Sequence, residues 1–316
     1  MKITVIGAMG RMGSWFTRYF SSHGHEIYAY DIAITNDSIR DKSIIYHSNN
    51  NSNITLVNSS NQLHDAARVS DVVILCVPIN SMLDSLKIAR HMHHNATLVE
   101  IASLKHRIVK RLKNYASRYN IKGLSIHPLF GPGADIHASN RYALIPVLDR
   151  DEELRIAREL LSNTARIVVV DDEELHDKAM AYILGMVYVM NVTWSMLVDD
   201  KTRKLCKELG GTTYRLQSII AEGILNDDPS LFSSLLLNRY LKGYIKRFIR
   251  LNEDILASID SKDVKGLESM YLNLKDSIKR DNANSDSIEK SYRLMYKVLA
   301  SISNNNNNNE GEKDEP

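Results

Sequence analysis

Ser125-Ile126-His127-Pro128-Leu129-Phe130-Gly131-Pro132-Gly133 places a single histidine at the end of an apolar run, entering a loop with two prolines and two glycines. A neutral imidazole, with a pKa of about 6.5, can take the proton of a hydroxyl whose carbon is losing hydride. An earlier stretch, Val5-Ile6-Gly7-Ala8-Met9-Gly10-Arg11-Met12-Gly13, carries the complementary pattern. It follows a short apolar run and opens a helical one, the context in which glycines form a phosphate-cradling turn. The glycines permit a tight turn and close backbone approach, and the helix N-terminus offers free N–H groups to a pyrophosphate. The spacing is G-x-x-G-x-x-G, with Ala8 where the strict dinucleotide fingerprint has a glycine.

Asp31 closes the next apolar run, eighteen residues after Gly13. An acid there can accept a hydrogen bond from a ribose hydroxyl and repel a 2′-phosphate, favouring NAD over NADP. Arg11, inside the loop, could instead meet phosphate and leaves NADP open. Val77-Pro78 ends a later strand, where backbone comes against a cofactor. The candidate cofactor contacts are therefore Gly7, Ala8, Met9, Gly10, Arg11, Met12, Asp31, Val77 and Pro78.

Short apolar runs alternate with helical patterns through residue 171, which predicts an α/β fold with a Rossmann-like, doubly wound parallel sheet. Strands are expected at Lys2–Ile6, Glu26–Tyr30, Asp71–Val77, Thr97–Ile101, Gly123–Ile126, Tyr142–Val147 and Arg166–Val170. In such a sheet ligands bind beyond the carboxyl ends of the strands, where His127 falls. Ile34–Asn53 is polar and asparagine-rich and reads as a surface excursion. From residue 172 the strand signals stop. Helices follow over Glu173–Leu209, Thr213–Leu225, Pro229–Ser258, Lys262–Lys279 and Ser287–Ser301, an all-helical second domain spanning residues 172–302. From Ser303 the chain holds six consecutive asparagines and then acidic residues, a composition expected to be disordered.

Composition narrows the class. A net charge of +2 with no basic stripe argues against a nucleic-acid partner. The two cysteines, Cys76 and Cys206, match no metal or redox spacing. His91, His93 and His94 read as a solvated helix end, so no metal site is expected. The chain enters its first strand with no signal-like segment, in keeping with a cytoplasmic protein. Ala179–Val198 runs twenty residues without a charge. Gly185, Asn191, Thr193 and Ser195 within it favour a buried helix at the centre of a helical domain or dimer over a membrane span.

The glycine loop with Met12, the Asp71–Pro78 strand, Glu100-Ile101-Ala102-Ser103-Leu104-Lys105 and the His127-Pro128-Leu129-Phe130-Gly131-Pro132 loop resemble, in that order, the prephenate dehydrogenase family, and more narrowly its archaeal branch. The likeness continues through Glu174-Leu175-His176-Asp177-Lys178-Ala179-Met180-Ala181-Tyr182 and Ile224-Leu225-Asn226-Asp227-Asp228-Pro229-Ser230-Leu231. It implies NAD(P)-dependent oxidative decarboxylation of prephenate to 4-hydroxyphenylpyruvate in tyrosine biosynthesis, or the same chemistry on arogenate. It also implies that His127 polarises the ring hydroxyl, that Ser103 orients both, and that the helical domain forms a homodimer. Other readings are a dehydrogenase or reductase with another small substrate, or a dinucleotide-binding protein turned regulator.

Two positions depart from the family pattern. Tyr188 stands where members commonly have a histidine, and Gly223 where an arginine grips a carboxylate of the dicarboxylate substrate. Each lost charge-assisted hydrogen bond is worth roughly 1.5–3 kcal/mol. Arg215, two helical turns before Gly223 on much the same face, is the candidate replacement.

Overall fold

The computed structural model describes residues 1–35, 53–162, 164–281 and 286–310, with residues 281 and 303–310 given by backbone alone. The excursion expected over Ile34–Asn53 lies almost wholly outside the described residues, as do residues 311–316.

Eight strands form one sheet: β1 (Lys2–Ile6), β2 (Glu26–Tyr30), β3 (Ile54–Val57), β4 (Val72–Leu75), β5 (Thr97–Glu100), β6 (Lys122–Pro128), β7 (Arg141–Ile145) and β8 (Arg166–Val169). Their order is β3-β2-β1-β4-β5-β6-β7-β8. The strands from β1 to β6 are mutually parallel, β7 runs antiparallel to β6, and β8 is parallel to β7. The order reverses between β1 and β4, which opens the crevice where doubly wound sheets bind ligands. The helices of this part are α1 (Arg11–Ser22), α2 (Ser60–Val69), α3 (Ile79–Ser85), α4 (Ile108–Tyr119), α5 (Arg150–Leu160) and α6 (Glu173–Met180).

Both faces of the sheet are covered, as continuous apolar strands require. Alternate residues feed two cores: Ile3, Val5, Val72 and Ile74 join Trp15, Phe16 and Phe20 of α1 on one side. Ile6, Val73 and Leu75 join Met82 and Leu86, with Leu112 of α4, on the other. The strand β3 was not anticipated. It pairs at the sheet edge with β2.

The chain divides into two compact units, Met1–Ala181 with Ser233–Asn238, and Tyr182–Phe232 with Arg239–Pro316. The first thus runs past the change of pattern at 171/172, because α6 buries His176 and Asp177 in it. The single helix expected over Glu173–Leu209 is interrupted. Beyond α6 comes a π-helical stretch, Ala181–Met186, then α7 (Val187–Met196) and α8 (Asp200–Leu209), the last capped by Asp199 accepting from Thr202 N–H at 2.7 Å. Gly185 of the π-helical stretch is closely covered, since a Cβ there would sit 2.8 Å from Leu241 Cδ1.

The remaining helices are α9 (Thr212–Ile224), α10 (Pro229–Leu236), α11 (Leu241–Asp260), α12 (Val264–Asp281) and α13 (Ser287–Glu310). The helix expected over Pro229–Ser258 breaks between α10 and α11, where Asn238 donates to Asp177 O at 2.7 Å. α13 runs through the asparagines to Glu310, past the expected onset of disorder at Ser303. Within one chain the apolar segment after Ala179 is not buried all round: Tyr182, Ile183, Met190 and Met196 are exposed. By length and composition, Glu173–Met196 could also cross a membrane.

Candidate active site

The glycine loop sits at the carboxyl end of β1, in the crevice. Gly7 adopts φ +85°, and its N–H and that of Ala8 both donate to Tyr30 O, at 2.9 and 3.1 Å. Gly13 is required by close approach: a Cβ there would lie 1.9 Å from Gly7 O. Gly10 precedes α1 with no side-chain cap, and no acidic residue occupies the first turn. The amides of Met12 and Gly13 and the helix dipole are therefore suited to an anionic phosphate. Asp31 braces this loop. Its Oδ2 accepts from Met9 N–H and its Oδ1 from Ala33 N–H, each at 3.0 Å. A carboxylate has further lone pairs, so a ribose hydroxyl can still be bound. Met9 and Met12 pack against the α1 core, Arg11 is exposed at the helix start, and Val77 and exposed Pro78 lead from β4 into α3. These residues fit a dinucleotide.

His127 lies at the carboxyl end of β6, paired with Ala143 of β7, and is 5 % exposed. The loop that follows is held from below: Trp15 Nε1 donates to Ala134 O at 2.8 Å, and Phe130 packs between Trp15 and Tyr142. Gly131 and Gly133 have neither positive φ nor a close neighbour at Cβ, so packing on Trp15, more than glycine freedom, shapes this loop. Burial holds the His127 imidazole well below its usual pKa, with the Lys105 charge and His176 adding to the effect. The ring is therefore neutral, a base and not a cation.

The partner of His127 is His176. Their Nδ1 and Nε2 atoms are 3.1 Å apart with the rings at 74°, and His176 Nδ1 lies 3.0 Å from Asp177 Oδ1. Ser103 is half-buried in the loop after β5 and, among the described residues, makes no hydrogen bond to His127. That loop is fixed at several points. Asp177 accepts from the backbone N–H of Lys105 at 2.8 Å and of His106 at 2.9 Å. Lys105 is fully buried and donates to Glu100 Oε1 at 2.7 Å and to Ile126 O at 2.8 Å. Glu100 also accepts from Ser125 Oγ and, at 2.8 Å, from Ala102 N–H. Burial lowers the Lys105 pKa, and the Glu100 carboxylate opposes it.

Glu100, Lys105, Ser125, His176 and Asp177 were not singled out by residue type. One local signal was available: a glutamate ending a buried strand, five residues before a lysine, must be paired to be tolerated.

In the second unit, Tyr188 is buried, and its hydroxyl donates to Asp227 Oδ2 beside Phe232. Gly223 is exposed on α9 with nothing within 4 Å of a Cβ there, and its neighbour Glu222 pairs with Lys207 at 2.9 Å. Arg215 is exposed on the same helix. A largely apolar cavity of about 580 Å³ lies between α7, α8 and α9, lined by Trp194, Leu197, Tyr214 and Leu225 among others. No cluster of metal-ligating side chains occurs among the described residues.

Residues 28–170 match the family described as "Prephenate dehydrogenase, nucleotide-binding domain". That match begins in β2, so the case for the glycine loop rests on its own geometry. A "Probable arogenate/prephenate dehydrogenase" of Methanocaldococcus jannaschii is 24 % identical over 273 residues, covering 84 % of this chain and 58 % of the relative, less than two thirds of its length. Among solved structures, an arogenate dehydrogenase of Synechocystis superposes with a TM-score of 0.64 at 18 % identity, covering 89 % of this chain and 100 % of that one. A prephenate dehydrogenase of A. aeolicus, in complex with hydroxyphenyl propionate and NAD+, superposes with a TM-score of 0.61 at 19 % identity, covering 86 % and 97 %. At these identities the superpositions speak for the fold.

Proposed function

From the premise that residues 28–170 form a nucleotide-binding domain of the prephenate dehydrogenase family, we propose that this chain is an NAD-dependent dehydrogenase. Its substrate is prephenate or the amino analogue arogenate, oxidised and decarboxylated. One observation carries the reading: a buried, neutral imidazole stands at the carboxyl end of β6, on the same sheet edge as an uncapped glycine loop. Three strand spacings separate β1 from β6 in the sheet, about 14 Å, within reach of an extended dinucleotide and its substrate.

The first-turn amides of α1 would take the pyrophosphate and Asp31 a ribose hydroxyl, which disfavours the 2′-phosphate of NADP. When bound, the nicotinamide supplies the acceptor for hydride from the hydroxyl-bearing ring carbon. His127 Nε2 accepts the hydroxyl hydrogen as that carbon–oxygen bond gains carbonyl character. The ring carboxylate leaves as carbon dioxide, its bonding pair completes the aromatic ring, and the proton returns to the phenol oxygen. Ser103, half-buried in the loop after β5, is the residue we assign to hold the same hydroxyl.

The amino form of the substrate has a specific observation in its favour. The position of the family's carboxylate-gripping arginine is Gly223, and Tyr188 engages a carboxylate, Asp227. Arogenate keeps both carboxylates of prephenate but adds an ammonium, which suits a region that lacks that arginine and carries an aspartate; Arg215 is the cation proposed to meet one of the carboxylates. A homodimer through the helical unit is part of the same proposal, supported by the exposed apolar residues Tyr182, Ile183, Met190, Met196 and Leu197.

NADH absorbance with NAD and either substrate tests the reading. Turnover with one of them is expected, and His127→Asn should lower kcat by roughly 10²–10⁴-fold while leaving NAD affinity intact. NAD binding without turnover of either substrate would overturn it.

A further inference from the structure

We infer that His176, backed by Asp177, is a positioning residue that sets the tautomer of His127. The inference rests on the reading of His127 as the base. A neutral imidazole has one N–H donor and one acceptor nitrogen, and the base function requires the acceptor to be Nε2. Among the described residues, His127 Nδ1 has one partner, His176 Nε2 at 3.1 Å, and Nε2 of His127 carries no hydrogen bond. Which nitrogen holds the hydrogen is therefore decided by His176.

His176 is decided in turn by Asp177. The carboxylate already accepts from two backbone N–H groups, those of Lys105 and His106, and can only accept again. The hydrogen between them therefore sits on His176 Nδ1, 3.0 Å from Asp177 Oδ1. In a neutral His176 that leaves Nε2 as a lone pair, which must accept from His127 Nδ1–H. His127 Nε2 is then bare. The direction of every hydrogen in the chain follows from one acceptor-only group at its end.

The geometry is also held in place. His176 is 1 % exposed and Asp177 4 %, on α6, whose N-terminus is capped by Asp172 accepting from Leu175 N–H at 2.7 Å. The groups facing the pair from other elements are Lys105 and Glu100, already bonded to each other, and Asn238, which donates to the Asp177 backbone carbonyl. None of these offers His127 a competing partner.

The test is nitrogen NMR of the ¹⁵N-histidine-labelled full chain, His127 being assigned by its loss in His127→Asn, together with steady-state kinetics. In the native protein His127 should show the Nδ1–H form. His176→Leu removes the acceptor, so the ring should shift toward the Nε2–H form and kcat fall at least about 10-fold, with substrate KM and NAD affinity within about two-fold. His176→Gln can present a carbonyl oxygen near the place of Nε2 and should restore both the Nδ1–H signal and most of kcat. A native His127 in the Nε2–H form, or an unchanged tautomer in His176→Leu, would overturn the inference. The NMR arm needs no turnover, so it stands or falls separately from the choice of substrate.

Discussion

Lys105→Met should destabilise the sheet unit by about 3 kcal/mol, because it strands a buried carboxylate. Lys105 and Glu100 are both fully buried, their charged atoms 2.7 Å apart. Removing one member of a buried pair costs about 3–5 kcal/mol, since the other charge loses its counter-ion without regaining water. Glu100 would keep its bonds from Ser125 and Ala102, which places the loss at the lower end of that range. With urea m-values of about 1–3 kcal/mol/M, the unfolding midpoint should fall by roughly 1–3 M. Trp15, fully buried in this unit, reports the transition once Trp194→Phe has silenced the other tryptophan. The double variant Glu100→Gln/Lys105→Met removes both charges and should recover to within about 1 kcal/mol of native. A loss below about 1 kcal/mol in the single variant, or a double variant no better than the single, would refute the reasoning. A linked readout is available in the same protein. The Lys105 charge helps hold the His127 pKa down, so in Lys105→Met the acid limb of activity should move up in pH.

In the native protein that limb should lie below the ordinary histidine value of about 6.5, because the neutral form of His127 persists to lower pH; a limb at or above it would count against His127 as the base. The stability linkage has the same sign: between the unfolded value and the lower folded one the unfolded chain binds more protons, so the contribution is complete above about pH 6.5 and is lost as pH falls through that window, which urea unfolding across pH would reveal. Gly13→Ala should abolish NADH binding, followed by fluorescence titration, since its Cβ would fall 1.9 Å from a backbone oxygen. Gly131→Ala meets nothing within 4 Å and should change stability by no more than about 1 kcal/mol in either direction.

How much was legible in the sequence depended on how local the cause was. β1 and β2 have the bounds expected from their residues, because an apolar run ending in a glycine loop or an aspartate is its own evidence. Ile54–Val57 escaped notice since four residues beside an asparagine-rich stretch carry too little pattern to stand out. The long helices predicted beyond Glu173 were right in kind. Two of their interruptions coincide with contacts distant in sequence, Gly185 against Leu241 and Asn238 on Asp177, and the break before α8 with the local Asp199 cap. At the site, His127 could be picked out because sheet topology gives the end of β6 a meaning. Its hydrogen-bond partner was not assigned: His176 lies in a stretch that carries the family resemblance, but it is 49 residues away and no local spacing ties it to His127.

The same distinction bears on why the base sits where it does. Asp177 accepts from the loop after β5 through its carboxylate, accepts from Asn238 through its carbonyl, and fixes His176. Lys105 ties that loop to the Ile126 carbonyl of β6, one residue before His127. Among the described residues, the hydrogen-bond partner of the imidazole, His176, is anchored in a capped helix, and the strand that carries His127 is tied to the loop after β5 by a buried, paired lysine. A base so held changes its surroundings little as charge develops, which is how fixed groups lower a barrier that mobile water would not. It follows that substitutions at Glu100, Lys105 and Asp177 should act on activity through His127's position and protonation, in proportion to how far they release that ring, and not through the cofactor loop at β1.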